Sequence, residues 1–160
     1  IGIILGAVLK GQDLIQNAKA KKVATLISQW QVPIMTYYDR KSMFPGDAGG
    51  ATPNGIIANI NAMTASLNAA TVQHPDPTIG DISVAIQGGS TVCGGSFGTK
   101  NYMVITLPVT STQSFIETID TNVDGTALGT SGRLVNCGTN GTGSGPSAWG
   151  AATTILTYIF

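Results

Sequence analysis

The segment Asp120-Thr-Asn122-Val-Asp124-Gly125 places three oxygen-bearing side chains at alternate positions before a glycine. In calcium-binding loops, alternate oxygen ligands converge on the ion ahead of such a glycine turn. The twelfth residue of the loop, which should be a bidentate glutamate, is Ser131. The segment therefore predicts a weak or differently completed calcium site at Asp120, Asn122 and Asp124. The alternative, which we favour, is a turn stabilised by these side chains with Gly125 at positive φ.

Cys93 and Cys137 are the two cysteines of the chain. A Thr-rich, charge-poor sequence with a membrane-like start indicates export, and in an oxidising compartment a cysteine pair tends to form a disulfide. Two free thiols and a metal pair are the alternatives. A metal pair is disfavoured because no His or Cys lies nearby in the sequence to complete the ligand set. We therefore predict a Cys93–Cys137 disulfide.

The remaining reactive residue types do not form a recognisable catalytic group. His74 lies in His-Pro-Asp-Pro, which predicts a surface loop. No second base and no activated serine or cysteine accompanies it, so the groups of a hydrolytic triad are missing. The eight acidic residues are scattered, with no spacing that would bring two carboxylates together. The sequence therefore predicts a protein that is not an enzyme, with calcium as its one candidate cofactor.

The composition limits the classes of partner. The chain has 160 residues, no net charge and 10% charged residues, well under the roughly 25% of an ordinary globular protein. No basic patch is available to hold phosphates, so contact with nucleic acid is not predicted. Weak self-repulsion suits a subunit that packs against its own copies, although a single secreted domain explains the same composition.

The element that must position these residues is a long helix predicted over residues 1–43. Its length would be about 60 Å, with a kink at Pro33 and an end at Pro45-Gly46. That length exceeds the diameter of so small a domain, so one end must project and needs lipid or other copies of the chain. The core face is predicted from helical spacing, and comprises Leu14, Ala18, Val23, Ile27, Trp30, Ile34 and Tyr37 or Tyr38.

The start of this helix is the predicted assembly element. Its apolar run of nine residues is shorter than the roughly 20 that span a bilayer, so we expect further apolar residues upstream. Four lysines follow, at positions 10, 19, 21 and 22, and form either a solvated helix face or a collar beside anionic lipid headgroups. The predicted assembly residues are Ile1, Ile3, Ile4, Leu5, Val8, Leu9, Leu14 and Ile15.

Two shorter helices are predicted beyond residue 50. One covers residues 54–70 and is capped near Thr52 or Asn54. The other covers residues 111–122 and is capped by Ser111 or Thr112. Their predicted core residues are Ile56 or Ile57, Ile60, Met63 and Leu67 in the first, and Phe115, Ile116 and Ile119 in the second.

The rest of the chain predicts strands and loops. Apolar, β-branched runs predict strands at residues 82–87, 101–109, 152–160 and, as a candidate fourth, 133–137. Residues 71–81 and the glycine-rich residues 138–150 predict loops. The order predicts an α+β fold in which a long N-terminal helix (residues 1–50) packs against an antiparallel sheet in a globular head (residues 51–160).

Four stretches resemble the type IV pilins and the pseudopilins of type II secretion systems. IGIILGAVLKGQDLIQNAKAKK is similar to the second half of the pilin N-terminal helix. Tyr37-Tyr38-Asp39 and then Phe44-Pro45-Gly46-Asp47 resemble the junction that follows this helix. The segment Ile119–Gly125 resembles the Asp-Gly segment of pseudopilins, and the two cysteines resemble the pair that staples the C-terminal region of many pilins.

The resemblance implies a pilin-like fold and a precursor that is cleaved and methylated at its N-terminus. Such a subunit is held in the inner membrane and then polymerised, with copies of itself and other pilins, by the pilus assembly machinery. Its product is a bacterial surface filament for adhesion, motility or DNA uptake. The alternatives are a pseudopilin of a type II secretion system and an anchored extracellular calcium- or glycan-binding module.

A charge placed in the apolar start tests the assembly prediction. We expect Ile4→Asp or Val8→Asp to block polymerisation, because a buried, unpaired carboxylate in a helix bundle is strongly unfavourable, while the head still folds. Filament yield by electron microscopy and the circular dichroism of the purified chain measure the two effects. A normal filament yield from either variant would contradict the prediction.

Overall fold

The computed structural model describes residues 2–89, 92–108, 111–138, 143, 145–150 and 153–160, with side chains from Lys10 onward. The fold is α+β, as predicted, with one long N-terminal helix and an antiparallel sheet of five strands. The helices are α1 (Gly2–Lys41), α2 (Ile60–Ala69) and α3 (Gln113–Asp124), and the strands are β1 (Thr78–Ile79), β2 (Ile82–Gly89), β3 (Lys100–Thr106), β4 (Leu134–Val135) and β5 (Ile155–Ile159).

Helix α1 is continuous through Pro33 and, at 40 residues, about 60 Å long. It ends at Lys41, where Ser42 adopts a left-handed conformation (φ 54°) and donates its N–H to Tyr38 O at 2.7 Å. The predicted range 1–43 is therefore two residues too long at this end, because the chain turns before it reaches Pro45.

Among the described side chains of α1, those buried in the head begin at Ala20. They are Ala20, Val23, Leu26, Ile27, Trp30, Pro33 and Ile34. The prediction was correct from Val23 to Ile34 but wrong for Leu14 and Ala18, which are exposed. The step of five residues from Ala18 to Val23 turns about 140° around the helix, so Leu14 and Ala18 lie on the side of α1 that faces away from the head.

Helix α2 begins later than predicted. Asn59 is its N-cap and accepts a hydrogen bond from Ala62 N–H at 2.9 Å. Helical backbone cannot begin at Thr52 or Asn54, because Gly55 has a φ of 77° and Ile57 is extended in a bridge to Asp47. The predicted core residues Ile57, Met63 and Leu67 are fully buried, and Ile60 is half-buried.

The sheet has the strand order β1-β2-β3-β5-β4, and every neighbouring pair is antiparallel. All four predicted strands are present, although β2 is longer and β3, β4 and β5 are shorter than predicted. The fifth strand, β1, lies in the predicted loop 71–81, where Thr78 and Ile79 pair with the start of β2. Central strand β3 is buried along most of its length.

Alternate residues of β3 enter two separate cores. Met103 and Ile105 join the main core with the three helices, whereas Tyr102 and Val104 face a smaller cluster on the other side of the sheet. That smaller cluster contains Cys93 and Cys137, which form the predicted disulfide with Cα atoms 4.7 Å apart. Both cysteines are buried, so the disulfide holds the chain segments that contain them against the second face of the sheet.

Replacing both cysteines by serine should lower the free energy of unfolding by about 4 kcal/mol. The disulfide closes a loop with a sequence separation of 44 residues, and the loss follows from the extra conformational freedom of the unfolded chain. Urea denaturation of the variant and of the oxidised and reduced native chain measures the difference. Equal midpoints for the oxidised and reduced chain would show that the bridge contributes nothing.

Candidate assembly surface and the aspartate contacts of the head

The first half of α1 extends beyond the head. From Gln12 to Lys19 every side chain is exposed, including the predicted assembly residues Leu14 (69% exposed) and Ile15 (58%). The side chains of the other predicted assembly residues, Ile1, Ile3, Ile4, Leu5, Val8 and Leu9, lie outside the described part. Among the helices that are described, none is both long enough and apolar enough to cross a membrane.

A second row of residues follows the solvent side of α1 at heptad spacing. Successive members are four and three residues apart in alternation, the spacing of residues that face a partner helix. Val32 lies two residues after buried Trp30, and so about 200° around the helix from it. We call this row the outer stripe; all its members are exposed, and they are Leu14, Ala18, Lys21, Thr25, Ser28, Val32 and Met35.

The outer stripe is less polar than its composition suggests. Thr25 Oγ1 donates to Lys21 O at 2.9 Å, and Ser28 Oγ donates to Ala24 O at 3.3 Å. Because these hydroxyls bond to their own helix, they leave methyl and methylene surface facing outward. Val32 is 65% exposed and Met35 is 41% exposed. The stripe thus offers small and apolar groups over most of its length, with Lys21 as its one charged member.

Two polar aromatic contacts hold α1 on the head, and the sequence indicated neither. Gln31 Nε2 donates to Tyr158 Oη at 2.8 Å, which joins α1 to strand β5. Trp30 stacks on His74, with ring centroids 5.6 Å apart and an interplanar angle of 19°. The prediction of a surface histidine is therefore wrong: His74 is half-buried, with Nδ1 2.8 Å from Pro75 O.

The Pro-Gly-Asp junction after α1 is a tightly bonded turn. Asp47 accepts backbone hydrogen bonds from Gly49 and Gly55, each at 2.8 Å, and from Asn54 at 3.0 Å. Burial raises the pKa of Asp47, but the three N–H donors together outweigh it, so its pKa is lower than usual. Gly46 has a φ of 69° and lies against the backbone of Met63, where a Cβ would collide.

The segment expected to be a calcium loop is the end of a helix. Asp120, Asn122 and Asp124 lie within α3, which runs to Asp124 and is closed by Gly125 at φ 76°. The predicted positive φ of Gly125 is therefore confirmed, but alternate residues of a helix point in different directions and do not converge as in a calcium loop. Thr112 is the N-cap, as one of the two predicted candidates.

Each of the three side chains has its own contacts. Asn122 Nδ2 donates to Thr118 O at 2.7 Å. Asp124 Oδ2 accepts from the N–H groups of Arg133 (2.8 Å) and Leu134 (2.7 Å), which fixes the start of β4. In the described part of the chain, no group of three or more His, Cys, Asp or Glu residues could hold a metal ion.

Asp120 is the most deeply buried acidic residue of this region. Its Oδ2 atom accepts from Trp149 Nε1 at 2.8 Å and from Gly129 N–H at 3.2 Å, whereas Oδ1 has no partner among the described residues. Trp149 is thus buried, which corrects the prediction that residues 138–150 form a surface loop. Burial raises the pKa of Asp120, and nearby Asp124 raises it further, while the Trp149 hydrogen bond opposes them.

The raised pKa of Asp120 predicts that stability falls as the pH rises. Between the ordinary pKa of 3.8 and the raised pKa, Asp120 is protonated in the folded state but ionised in the unfolded state. The folded state therefore binds more protons than the unfolded state in this range, and its stability falls as the pH rises through it. We expect Asp120→Asn to flatten this decline, which urea denaturation from pH 4 to pH 8 measures.

Trp149→Phe is the matched control, because it removes the N–H donor but keeps an aromatic ring and the carboxyl group. Without that donor, the pKa of Asp120 should rise further, and the decline in stability should extend to higher pH. Asp47→Asn should instead remove a loss of stability below about pH 4, because the native chain, whose Asp47 pKa is lowered, becomes less stable there as this carboxylate is protonated. An unchanged pH profile for Asp120→Asn would contradict the assignment.

The chain was compared with protein-family models, with curated proteins and with solved structures, and none of the three comparisons finds a match. The resemblance to pilins therefore stays a prediction based on the quoted stretches. The properties of the chain that bear on function are those of its own surface: a projecting helix end, an outer stripe at heptad spacing, and loops fastened by aspartates.

Proposed function

We propose that this protein is the structural subunit of a bacterial type IV pilus and polymerises through α1. The observation that carries the proposal is the outer stripe, which continues onto the projecting half of the helix. One side of α1 is buried in the head. The outer stripe, on the opposite side, is exposed and has the spacing of residues in a helix–helix contact. A neighbouring copy of α1 is the partner that this geometry fits.

Burial of the uncovered apolar side chains supplies the driving force for assembly. Leu14, Ile15, Val32 and Met35 are all exposed in the single chain. Fully burying a side chain of this kind contributes about 1.5 to 3 kcal/mol. Thr25 and Ser28, whose hydroxyls already bond to α1, can enter such a contact without leaving a polar group unpaired.

The sheet is a poor surface for polymerisation because its edges bond to the protein's own chain. Along β2, Val84 N–H donates to Pro77 O at 2.8 Å and Gly88 N–H donates to Ile57 O at 2.7 Å. At the other edge, beyond β4, Asn136 forms a bridge with Ser147. Strand addition by a second copy would have to displace these bonds, which favours assembly through the helix.

The proposal assigns no catalysis to the chain and places it at the cell surface, with the inner membrane as its location before assembly. A pseudopilin would use the same helix to form a shorter fibre, so the length of the polymer separates these two functions. Immunogold electron microscopy of cells that produce the protein, with antibodies against the head, measures that length. Long surface fibres support the pilin, and their absence contradicts it.

Val32→Glu tests the outer stripe directly. We expect it to abolish fibres, because each copy would place a carboxylate in the helix–helix contact. The melting temperature should change by no more than about 2 °C, since Val32 is 65% exposed in the head.

Leu128→Glu is the matched control. It is the same change from apolar to acidic at a similarly exposed residue (55%), but it lies outside α1. Fibres should form normally with this variant. If Val32→Glu also assembled normally, or if both variants lost fibres equally, the outer stripe would not be the contact surface.

A further inference from the structure

A cavity lies where α1 enters the head. It has a volume of about 290 Å³ and opens between α1, the turn that joins β1 to β2, and residues on either side of the β3–α3 connection. This volume is close to the lower limit of small-molecule sites, about 300 Å³. The cavity can therefore hold a headgroup-sized molecule but not a whole phospholipid.

The cavity is lined by both charged and apolar side chains. Lys19 and Lys22 are three residues apart on α1 and both line the cavity, while Asp81 lines it from the β1–β2 turn. Two positive charges and one negative charge leave a net positive charge of one. Ser111 adds a hydroxyl group, and the apolar wall is formed by Ile79, Ile82, Leu107, Pro108 and Phe115.

The cavity lies next to the exposed part of α1. Gln16 lines it, and the residues just before Gln16 are the exposed Leu14 and Ile15. Lys19 lies four residues, and therefore about 6 Å, beyond Ile15 along the helix axis. The polar layer on each side of a bilayer is about 5 to 8 Å thick, so the cavity would lie at headgroup level when α1 inserts as far as Ile15. Asp13 would then lie about 3 Å and Lys10 about 8 Å inside the edge of the hydrocarbon, from where the ammonium group of Lys10 can extend back to the interface.

We propose that this cavity binds the headgroup of an anionic membrane lipid, with the phosphate between Lys19 and Lys22. The glycerol and first acyl carbons would contact the apolar wall, and the chains would leave past Gln16 along Ile15. The inference rests on the proposed function, in which the membrane holds the subunit before it polymerises. The bound lipid would fix how deeply α1 sits and which way the head faces.

The test is a titration of the full 160-residue chain with dihexanoylphosphatidylglycerol below its critical micelle concentration, followed by NMR amide shifts. We expect saturable shifts in residues 79–82 and 111–115. Dihexanoylphosphatidylcholine should bind at least about fivefold more weakly, since its headgroup carries no net charge. Equal binding of the two lipids, or equal shifts with inorganic phosphate alone, would overturn the proposal.

Lysine variants distinguish the cavity from general attraction to the helix. Lys19→Gln and Lys22→Gln should each weaken binding about fivefold. Lys21→Gln, which makes the same change on the outer stripe, should leave it unchanged. An equal loss for all three variants would indicate diffuse attraction and contradict the assigned site.

Ser111→Trp tests the cavity itself, because it fills the space and keeps every charge. Binding should be lost while the spectrum outside the site stays that of the folded chain. Binding that survives this change would overturn the proposal. Lipid binding is read from amide shifts of the cavity and not from filaments, so failure here and failure of Val32→Glu to block assembly are separate results.

Discussion

The packing of one side of α1 against the head is the contact on which the rest of the molecule depends. Trp30 and Ile34 are fully buried and belong to the main core with residues of α2, α3 and the sheet. The head would lose the middle of its core without α1. The same helix is about 60 Å long, so tying it to the head commits its other half to project into the surroundings. The stability of the head and the projection of the helix end therefore both come from α1 and cannot be varied separately.

The few acidic residues of the chain act mainly as acceptors for loop backbone. Asp47, Asp120 and Asp124 each receive two or more hydrogen bonds from the described residues, and most of the donors are main-chain N–H groups of connecting segments. A carboxylate can accept several such bonds at once, so one side chain replaces a regular element in fixing a turn. This use explains how a chain with many glycines keeps defined loops in spite of their conformational freedom.

Much of the fold could be predicted because its signals are local. Helical spacing located α1 and α3, alternation and β-branched residues located the main strands, and Thr112 was among the predicted caps. The prediction put Leu14 on the core side of α1, although the step of five residues from Ala18 to Val23 carries Leu14 to the opposite side of the helix, where it is exposed. The calcium motif predicted a loop or turn from Asp120 onward, whereas the predicted helix 111–122 already included this residue and α3 continues to Asp124.

Contacts between distant residues were beyond the sequence. Trp149 lies in a glycine-rich run that predicts exposure, and its burial depends on a carboxylate 29 residues away. His74 is drawn inward by the indole ring of Trp30. For the candidate assembly surface, the residues Leu14 and Ile15 were predicted, but the outer stripe was not. Its small and polar members have no hydrophobic signal, and their heptad spacing is noticed only once the opposite side is known to be buried.

The strand order also determines when the head can close during synthesis. Strand β3 receives its second neighbour only from β5, and β4 pairs with β5 and with no other strand of the described sheet. About 50 residues of chain must therefore leave the ribosome after β3 before the sheet is complete. Throughout that interval α1 is already synthesised, but the side of α1 that is buried in the folded head has no finished core to pack against.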